Sequence, residues 1–197
     1  MKLGVYGGTF NPIHNGHLHV LTGVQERLRL DRLLLIPTSQ PPHKRAKSLA
    51  SEEDRLAMCR LAVTDMDWIT VDDREIRRGG LSYTSDTLRE LHRDYPGSEI
   101  YFITGSDMFL TVDNWHESEQ IARMCTVVGF LRNPDTMEML ERKAETLTAQ
   151  GWKVLLMDLP PMDASSTEIR AGQFELLPDP VAEYVRQHHL YPQEENV

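Results

Sequence analysis

The chain has 197 residues, is 40% hydrophobic, carries a formal net charge of −9 and contains two cysteines. That length suits one sizeable core rather than two. The negative balance excludes general electrostatic capture of nucleic acid or an anionic membrane, because long-range potential steers such partners by sign. Cys59 and Cys125 show no CxxC or Cys/His ligand spacing, so buried thiols in a reducing cytoplasm are expected rather than a disulfide framework or a zinc site. No stretch approaches the roughly 18 apolar residues of a membrane span, and no basic region followed by an apolar run marks a signal peptide.

The first apolar run, Leu3 to Tyr6, has strand character and leads into GGTFNPIHNGH, residues 7 to 17. Gly7 and Gly8 permit a tight turn in which backbone amides approach a ligand without side-chain interference. The helix expected behind them, from Leu18, Leu21, Val24 and Leu28, adds the positive end of its dipole. The stretch is neither GxxxxGK[ST] nor GxGxxG. His14 and His17 could converge on one anion as donors. Spacing alone leaves two readings open: a phosphate site, or a strand-to-helix turn with surface histidines.

A second run, Arg32 to Pro37, precedes the basic loop Pro41-Pro-His-Lys-Arg45 with Lys47 close by, which is either a solvated turn or a charge source for polyphosphate. Ser51-Glu-Glu-Asp54 starts a helix carrying Leu56, Cys59, Ala62 and Val63. After a short run at Ile69 to Val71, the connection DDREIRRGGLSYTSD ends in Thr84-Ser-Asp86. These three are a candidate cap for a helix that carries Leu88 and Leu91 and stops near Pro96-Gly97. Ile100 to Thr104 is followed by Gly105-Ser-Asp107, where Asp107 could accept from a ribose hydroxyl or an amide. Trp115, in a polar loop, could stack on a heteroaromatic ring or belong to the core. Thr126 to Leu131 and Val154 to Met157 flank a helical stretch, Asp135 to Gln150, that stops before Gly151. In Ala164-Ser-Ser-Thr-Glu-Ile-Arg170 the three hydroxyl residues either cap a helix or donate to phosphate, with Arg170 one turn on. His92, His116, His188 and His189 read as surface or packing residues.

Strands alternating with helices in this way predict an α/β fold: a doubly wound, mostly parallel sheet with helices on both faces. Ligands of such sheets bind beyond the carboxyl ends of the strands, where the loops just described converge. Residues 1–197 are expected to make one domain, with a small helical C-terminal part at about 160–192.

These loops resemble a known family. GGTFNPIHNGH is similar to the GGTFdPxHxGH signature of HxGH-type nucleotidyltransferases, and ASSTEIR to their second signature, (I/V)SSTxIR. With PPHK, SYTSDTLREL, GSDMF, Trp115 and LPDPVAEYVRQHHLY, the chain resembles bacterial nicotinate mononucleotide adenylyltransferases over almost its whole length. The resemblance implies a Rossmann-like nucleotidyltransferase domain. It implies transfer of AMP from ATP to nicotinate mononucleotide, yielding nicotinate adenine dinucleotide and pyrophosphate in NAD biosynthesis. Mg²⁺ would accompany ATP, with no dedicated protein ligand. His14, His17 and Arg170 would be catalytic. Gly8, Thr9, Phe10, Lys44, Ser165, Ser166 and Thr167 would bind ATP and phosphate; Tyr83, Thr84, Gly105, Asp107 and Trp115 would bind the mononucleotide. Ala164 replaces the branched aliphatic residue usual before SST, which bears on packing at the mouth of the ATP site.

A nicotinate carboxylate only accepts hydrogen bonds, so a ring site built from backbone N–H groups suits it better than a carboxamide, which brings donors of its own. The preference for the acid over the amide is implied by the resemblance. ATP and nicotinate mononucleotide are the expected partners, without nucleic acid or membrane, and a homo-oligomer is compatible with the sequence. Competing readings are a relative acting on another acceptor phosphate, a nucleotide-binding regulator without turnover, and a tRNA-synthetase-like module. The last would need a tRNA-binding extension and preferably a basic face, and neither is visible.

Overall fold

The computed structural model describes residues 1–42, 49–131, 137–160, 162 and 164–192. Strands β1 (Lys2–Gly8), β2 (Arg32–Pro37), β3 (Ile69–Val71), β4 (Glu99–Thr104), β5 (Thr126–Leu131) and β6 (Lys153–Asp158) form one sheet in the order β3-β2-β1-β4-β5-β6. Every adjacent pair is parallel, so the sheet expected to be mostly parallel is parallel throughout. Parallel pairing requires crossovers, and helices supply them. α1 (Asn15–Leu28) follows β1 and α2 (Glu52–Ala62) follows β2. α3 (Arg74–Arg78) and α4 (Thr84–Asp94) follow β3; α5 (Ser106–Phe109) and α6 (Ser118–Met124) follow β4; α7 (Met137–Ala149) follows β5. α8 (Ser166–Arg170) and α9 (Asp179–Gln187) lie beyond β6.

The period of two along a strand sends neighbouring side chains to opposite faces, which is why β2 reads as an unbroken apolar run. Leu33 and Leu35 join the cluster under α1, α2 and α9, with Val20, Leu21, Val24, Met58, Cys59 and Val185. Leu34 and Ile36 join the opposite cluster, with Leu88, Leu91, Ile121 and Leu140 from α4, α6 and α7. Cys59 and Cys125 are free and buried, one in each cluster, as the thiol reading expected. Burial holds both as neutral thiols, with Cys125 pushed up to about 12.

The order of the strands reverses at β1, which has β2 on one side and β4 on the other. Crossovers therefore leave in opposite directions from β1 and β4, opening a crevice at their carboxyl ends.

Two local expectations need correction. Gly7 and Gly8 are not the turn: they are the last two residues of β1, in register with Ile36 and Pro37, and the chain turns at Thr9. The left-handed residue of that turn is Phe10, with φ 46°. Thr84 does not cap α4 but opens it; Tyr83 holds the cap position and gives no side-chain bond. α3 and α6, with five and seven residues, are too short for an apolar period to announce them. The expected start of the Asp135 to Gln150 helix lies outside the described residues. Its end agrees, with Gly151 at φ 88° just beyond.

Gly129 in β5 leaves room for the ring of Phe109, which is fully buried: a Cβ there would lie 2.7 Å from that ring and 3.0 Å from Leu156. Gly129→Ala is therefore expected to lower stability by about 1–3 kcal/mol in urea unfolding, since neither neighbour can withdraw from a packed sheet face. A midpoint equal to that of the wild type would contradict this packing.

Candidate active site

The crevice has two parts that meet on the last residues of β1. One is a cavity walled by Gly7, Gly8 and Thr9 from β1 and its loop, Thr38 and Pro41-Pro42 beyond β2, and Ser82 to Thr84 at the start of α4. Phe102 to Gly105 at the end of β4, with Trp115, His116 and the carboxyl-bearing Glu75, complete it. Here Gly8, Thr9, Tyr83, Thr84, Gly105 and Trp115, widely separated in sequence, are brought together. Trp115 packs edge-on against Phe102 (6.1 Å between ring centroids, 87°), and its Nε1 donates to Thr111 Oγ1 at 3.3 Å. One face of the indole is thus supported and oriented by the fold. Thr84 and Ser85 open α4, so their amides have no acceptor within the helix and lie at its positive end. Asp107 sits in α5, exposed, outside the lining of the cavity.

His116, read from the sequence as a surface or packing residue, belongs to this cavity, where its ring lies 4.3 Å from that of Tyr83 at 35°. Only the folded chain brings the loop after β4 beside the start of α4. His92 packs as expected, bonding the Met124 carbonyl at 2.8 Å, and His188 stacks on Tyr184.

The second part is the loop from Thr9 to His14 and the first turn of α1. His14 is the N-cap of α1 and His17 its third residue, so helix geometry sets the rings face to face, 3.7 Å apart and tilted by 33°. The His14 backbone N–H donates to His17 Nδ1 at 3.2 Å. A ring nitrogen that accepts carries no proton, so the neutral His17 ring holds its proton on Nε2. Phe10 is buried edge-on against His17 (5.2 Å) and close to Tyr6 (5.6 Å), so its side chain fixes the histidine and leaves only its backbone to face a ligand. Gly8 is required by this ring: a Cβ there would come within 2.9 Å of it.

α8 closes on the same loop from more than 150 residues away. Ser165 is its N-cap, accepting from the Glu168 amide at 3.2 Å and donating to the Glu168 carboxylate at 2.7 Å, so the capping reading of this residue holds. Ser166 Oγ donates to the Pro12 carbonyl at 3.0 Å. Arg170 donates through Nη1 to the Asn11 carbonyl at 2.8 Å and through Nη2 to Thr167 Oγ1 at 3.2 Å. Ala164 is buried where a Cβ on Gly16 would approach within 3.2 Å, so a small residue here lets α8 sit close to the start of α1. Lys44, expected to add charge to the phosphate region, lies outside the described residues, as do His43, Arg45 and Lys47.

Three more residues frame this part without having been singled out as site residues. Asn11 Oδ1 accepts from the Ala50 amide (3.0 Å) and from Tyr191 Oη (2.7 Å). Arg55, in α2, reaches the Thr9 carbonyl at 2.8 Å. A lone arginine in a helix or a tyrosine near the end of a chain carries no local signal of such a partner. Among the described residues no group of three or more His, Cys, Asp or Glu is arranged to hold a metal ion, and no helix is long and apolar enough to cross a membrane.

Residues 5–172 match the family model described as cytidylyltransferase-like. A protein of Dehalococcoides mccartyi named "Probable nicotinate-nucleotide adenylyltransferase" is 37% identical over 198 residues, covering 97% of each chain. One of the same name from Desulfitobacterium hafniense is 38% identical over 197 residues, covering 96% of this chain and 95% of its own. Among solved structures, the nicotinic acid mononucleotide adenylyltransferase of Plasmodium falciparum complexed with NaAD aligns with a TM-score of 0.78 at 20% identity, over 96% of this chain and 97% of that one. Its complex with APC gives a TM-score of 0.76 at 18% identity, over 96% of both. At those identities the structural likeness speaks for the fold.

Glu75 makes the cavity sensitive to pH. It is 5% exposed; Oε1 accepts from Thr87 Oγ1 at 2.6 Å, and Oε2 has no hydrogen-bond partner among the described residues. Burial raises its pKa above the ordinary 4.5, against the hydroxyls of Thr87 and Ser82 and the charge of Arg78, with Glu90 adding to the rise. A carboxyl raised on folding binds its proton more tightly in the native state. Its contribution to stability is therefore full below pH 4.5 and is lost as pH rises through the folded value. Glu75→Gln keeps an acceptor for Thr87 and removes the titration. The difference in Tm between variant and wild type is expected to shift in favour of the variant from pH 4.5 to pH 8, and a constant difference would contradict it.

Proposed function

The chain belongs to the cytidylyltransferase-like family and, within it, to the nicotinate-nucleotide adenylyltransferases, and on that premise we propose that it transfers AMP from ATP to nicotinate mononucleotide. The products are nicotinate adenine dinucleotide and pyrophosphate. A phosphate oxygen of the mononucleotide attacks the α-phosphorus of ATP; the new P–O bond forms as the bond to the bridging oxygen breaks, and pyrophosphate takes the electron pair. Phosphate is already a competent nucleophile, so the protein has to align it and neutralise charge on the leaving oxygens.

The observation that carries this reading is the meeting of two unlike half-sites on Gly8 and Thr9. Trp115, Tyr83 and the first amides of α4 suit an aromatic ring bearing an acceptor. The His14–His17 pair, Ser166 and Arg170 suit a polyanion. In this assignment His14 and His17 donate to the triphosphate and Arg170 neutralises its charge. Gly8, Thr9 and the Phe10 backbone line both phosphates, and Ser165, Ser166 and Thr167 clamp ATP with Lys44. Gly105 and Asp107 contact the mononucleotide, and Trp115 stacks on its ring. Arg170 and Ser166 hold loop carbonyls, so the clamp on ATP would grow from groups already aimed at the loop.

The α4 amides present donors alone, which favours the nicotinate carboxylate over a carboxamide; each mispaired buried group costs about 1–3 kcal/mol. An ionised Glu75 would repel that carboxylate in the same cavity, and the burial that raises its pKa works in the ligand's favour. Mg²⁺ would arrive on the triphosphate, held by phosphate oxygens and water rather than by a protein cage. It would supply charge neutralisation on those oxygens. The reading treats 1–197 as one nucleotidyltransferase domain working in the cytoplasm.

Pyrophosphate release with ATP and nicotinate mononucleotide tests the assignment, and turnover no greater than that of His17→Ala would sink it. His17→Ala is expected to lower kcat by about 10²–10³-fold with a small change in KM, because its contact strengthens as charge moves onto the leaving group. Trp115→Ala is expected instead to raise the KM for nicotinate mononucleotide, so equal effects of both variants on kcat alone would contradict the division of roles.

A further inference from the structure

Arg55 heads the largest side chains that are under 2% exposed, at 1%, and it is charged. Its guanidinium donates through Nη1 to the Thr9 carbonyl at 2.8 Å and through Nη2 to the Ser39 carbonyl at 3.2 Å. Thr9 begins the loop after β1 and Ser39 lies in the segment after β2, so one planar cation ties together the exits of two adjacent strands. Among the described residues no carboxylate oxygen lies within 4.0 Å of it. Glu52, three residues earlier in α2, accepts instead from Ser39 Oγ at 2.5 Å and so braces the same segment. Burial lowers the Arg55 pKa and the charge of Glu52 opposes this, but a guanidinium starts so high that it stays a cation. A buried cation without a close counter-charge is costly.

Geometry gives that cation a task. In a trans peptide the C=O of one residue and the N–H of the next point in opposite directions. With the Thr9 carbonyl held by Arg55 on the α2 side, the Phe10 N–H is turned the other way, toward the cleft that Thr9 lines. We infer that Arg55 is a positioning residue of the reaction: through the Thr9 carbonyl it sets the peptide plane whose amide meets the phosphates. An unpinned plane could rotate and offer the anion its carbonyl, replacing attraction by repulsion. The inference rests on the reading of this loop as a phosphate site. Lysine could keep the charge but bond only one of the two carbonyls in that geometry, whereas methionine fills similar space and bonds neither.

The experiment measures kcat, the KM for ATP, Tm, and the rise in Tm on adding ATP for the wild type, Arg55→Met and Arg55→Lys. A misplaced reacting group costs up to about 10²-fold. Arg55→Met is therefore expected to lose at least about tenfold in kcat and to raise the ATP KM by at least about threefold, and Arg55→Lys to recover part of both losses. A folded Arg55→Met protein with lowered Tm but kcat within about twofold of the wild type would overturn the inference, because that is the mark of a purely structural residue. If Arg55→Met fails to fold by circular dichroism, Arg55→Lys decides on the same twofold criterion. A wild type that shows no turnover but is stabilised by ATP removes the proposed reaction alone. The ATP-induced rise then decides on Arg55: at least halved in the folded variants if Arg55 sets the loop, unchanged if it does not. A wild type that ATP does not stabilise and that shows no turnover overturns both.

Discussion

The site depends on which way a short loop turns its carbonyls. Between Thr9 and Pro12 the chain leaves β1 with four carbonyl oxygens to place, and side chains take three of them; left facing an anion they would repel it, since like partial charges repel. Arg55 takes the Thr9 oxygen, Arg170 the Asn11 oxygen and Ser166 the Pro12 oxygen. The loop is therefore held by side chains from α2 and α8, elements that lie about 40 and 150 residues further along the chain. Asn11 adds a fourth tie through its own side chain, to the Ala50 amide and to Tyr191. Strain at Phe10, a non-glycine residue in the left-handed region, is tolerated because these contacts over-determine the loop.

Local donors, not net charge, make this acidic chain fit for anionic substrates. A formal charge of −9 sets the far field, but under the proposed function a phosphate in the crevice would meet amides, helix starts and two histidine rings at close range. Many of the described arginines are engaged elsewhere, in ion pairs such as Arg74 with Asp72 and Asp94. The cations that reach the signature loop, Arg55 and Arg170, do so through backbone carbonyls.

The cavity for the aromatic ring is built by a different logic. Trp115 is supported by Phe102 from the last turn of β4's apolar run, and the α4 start is carried there by the connection after β3. Reversal of strand order at β1 brings these pieces to one edge. The two proposed half-sites meet on Gly8 and Thr9, where the absence of a Cβ on Gly8 would let both ligands approach the backbone.

Much was legible in the chain before folding. All six strands lie where short apolar runs fall, because strands covered on both faces are apolar along most of their length, and the longer helices between them betray themselves by period and stop signals. GGTFNPIHNGH and ASSTEIR were recognisable through their resemblance to the two family signatures; their local chemistry, a helix start, three hydroxyls and two rings one turn apart, left a plain turn and a plain cap open. What the sequence could not display is any partnership made across the sheet. Arg55 reads as one polar residue in an amphipathic helix, Glu75 as one more charge in a charged connection, and His116 as a surface residue. Gly8 seemed a turn former and is instead a strand residue that makes room for Phe10. Sequence by itself determined the strands, the longer helices, the fold class and the places of the two signature motifs, since these follow from periodicity and local sequence pattern. Tertiary structure decided which carbonyls are held away from the cleft, which residues wall the ring cavity and which ionisable groups are buried, because burial and hydrogen-bond partners are properties of the packed chain.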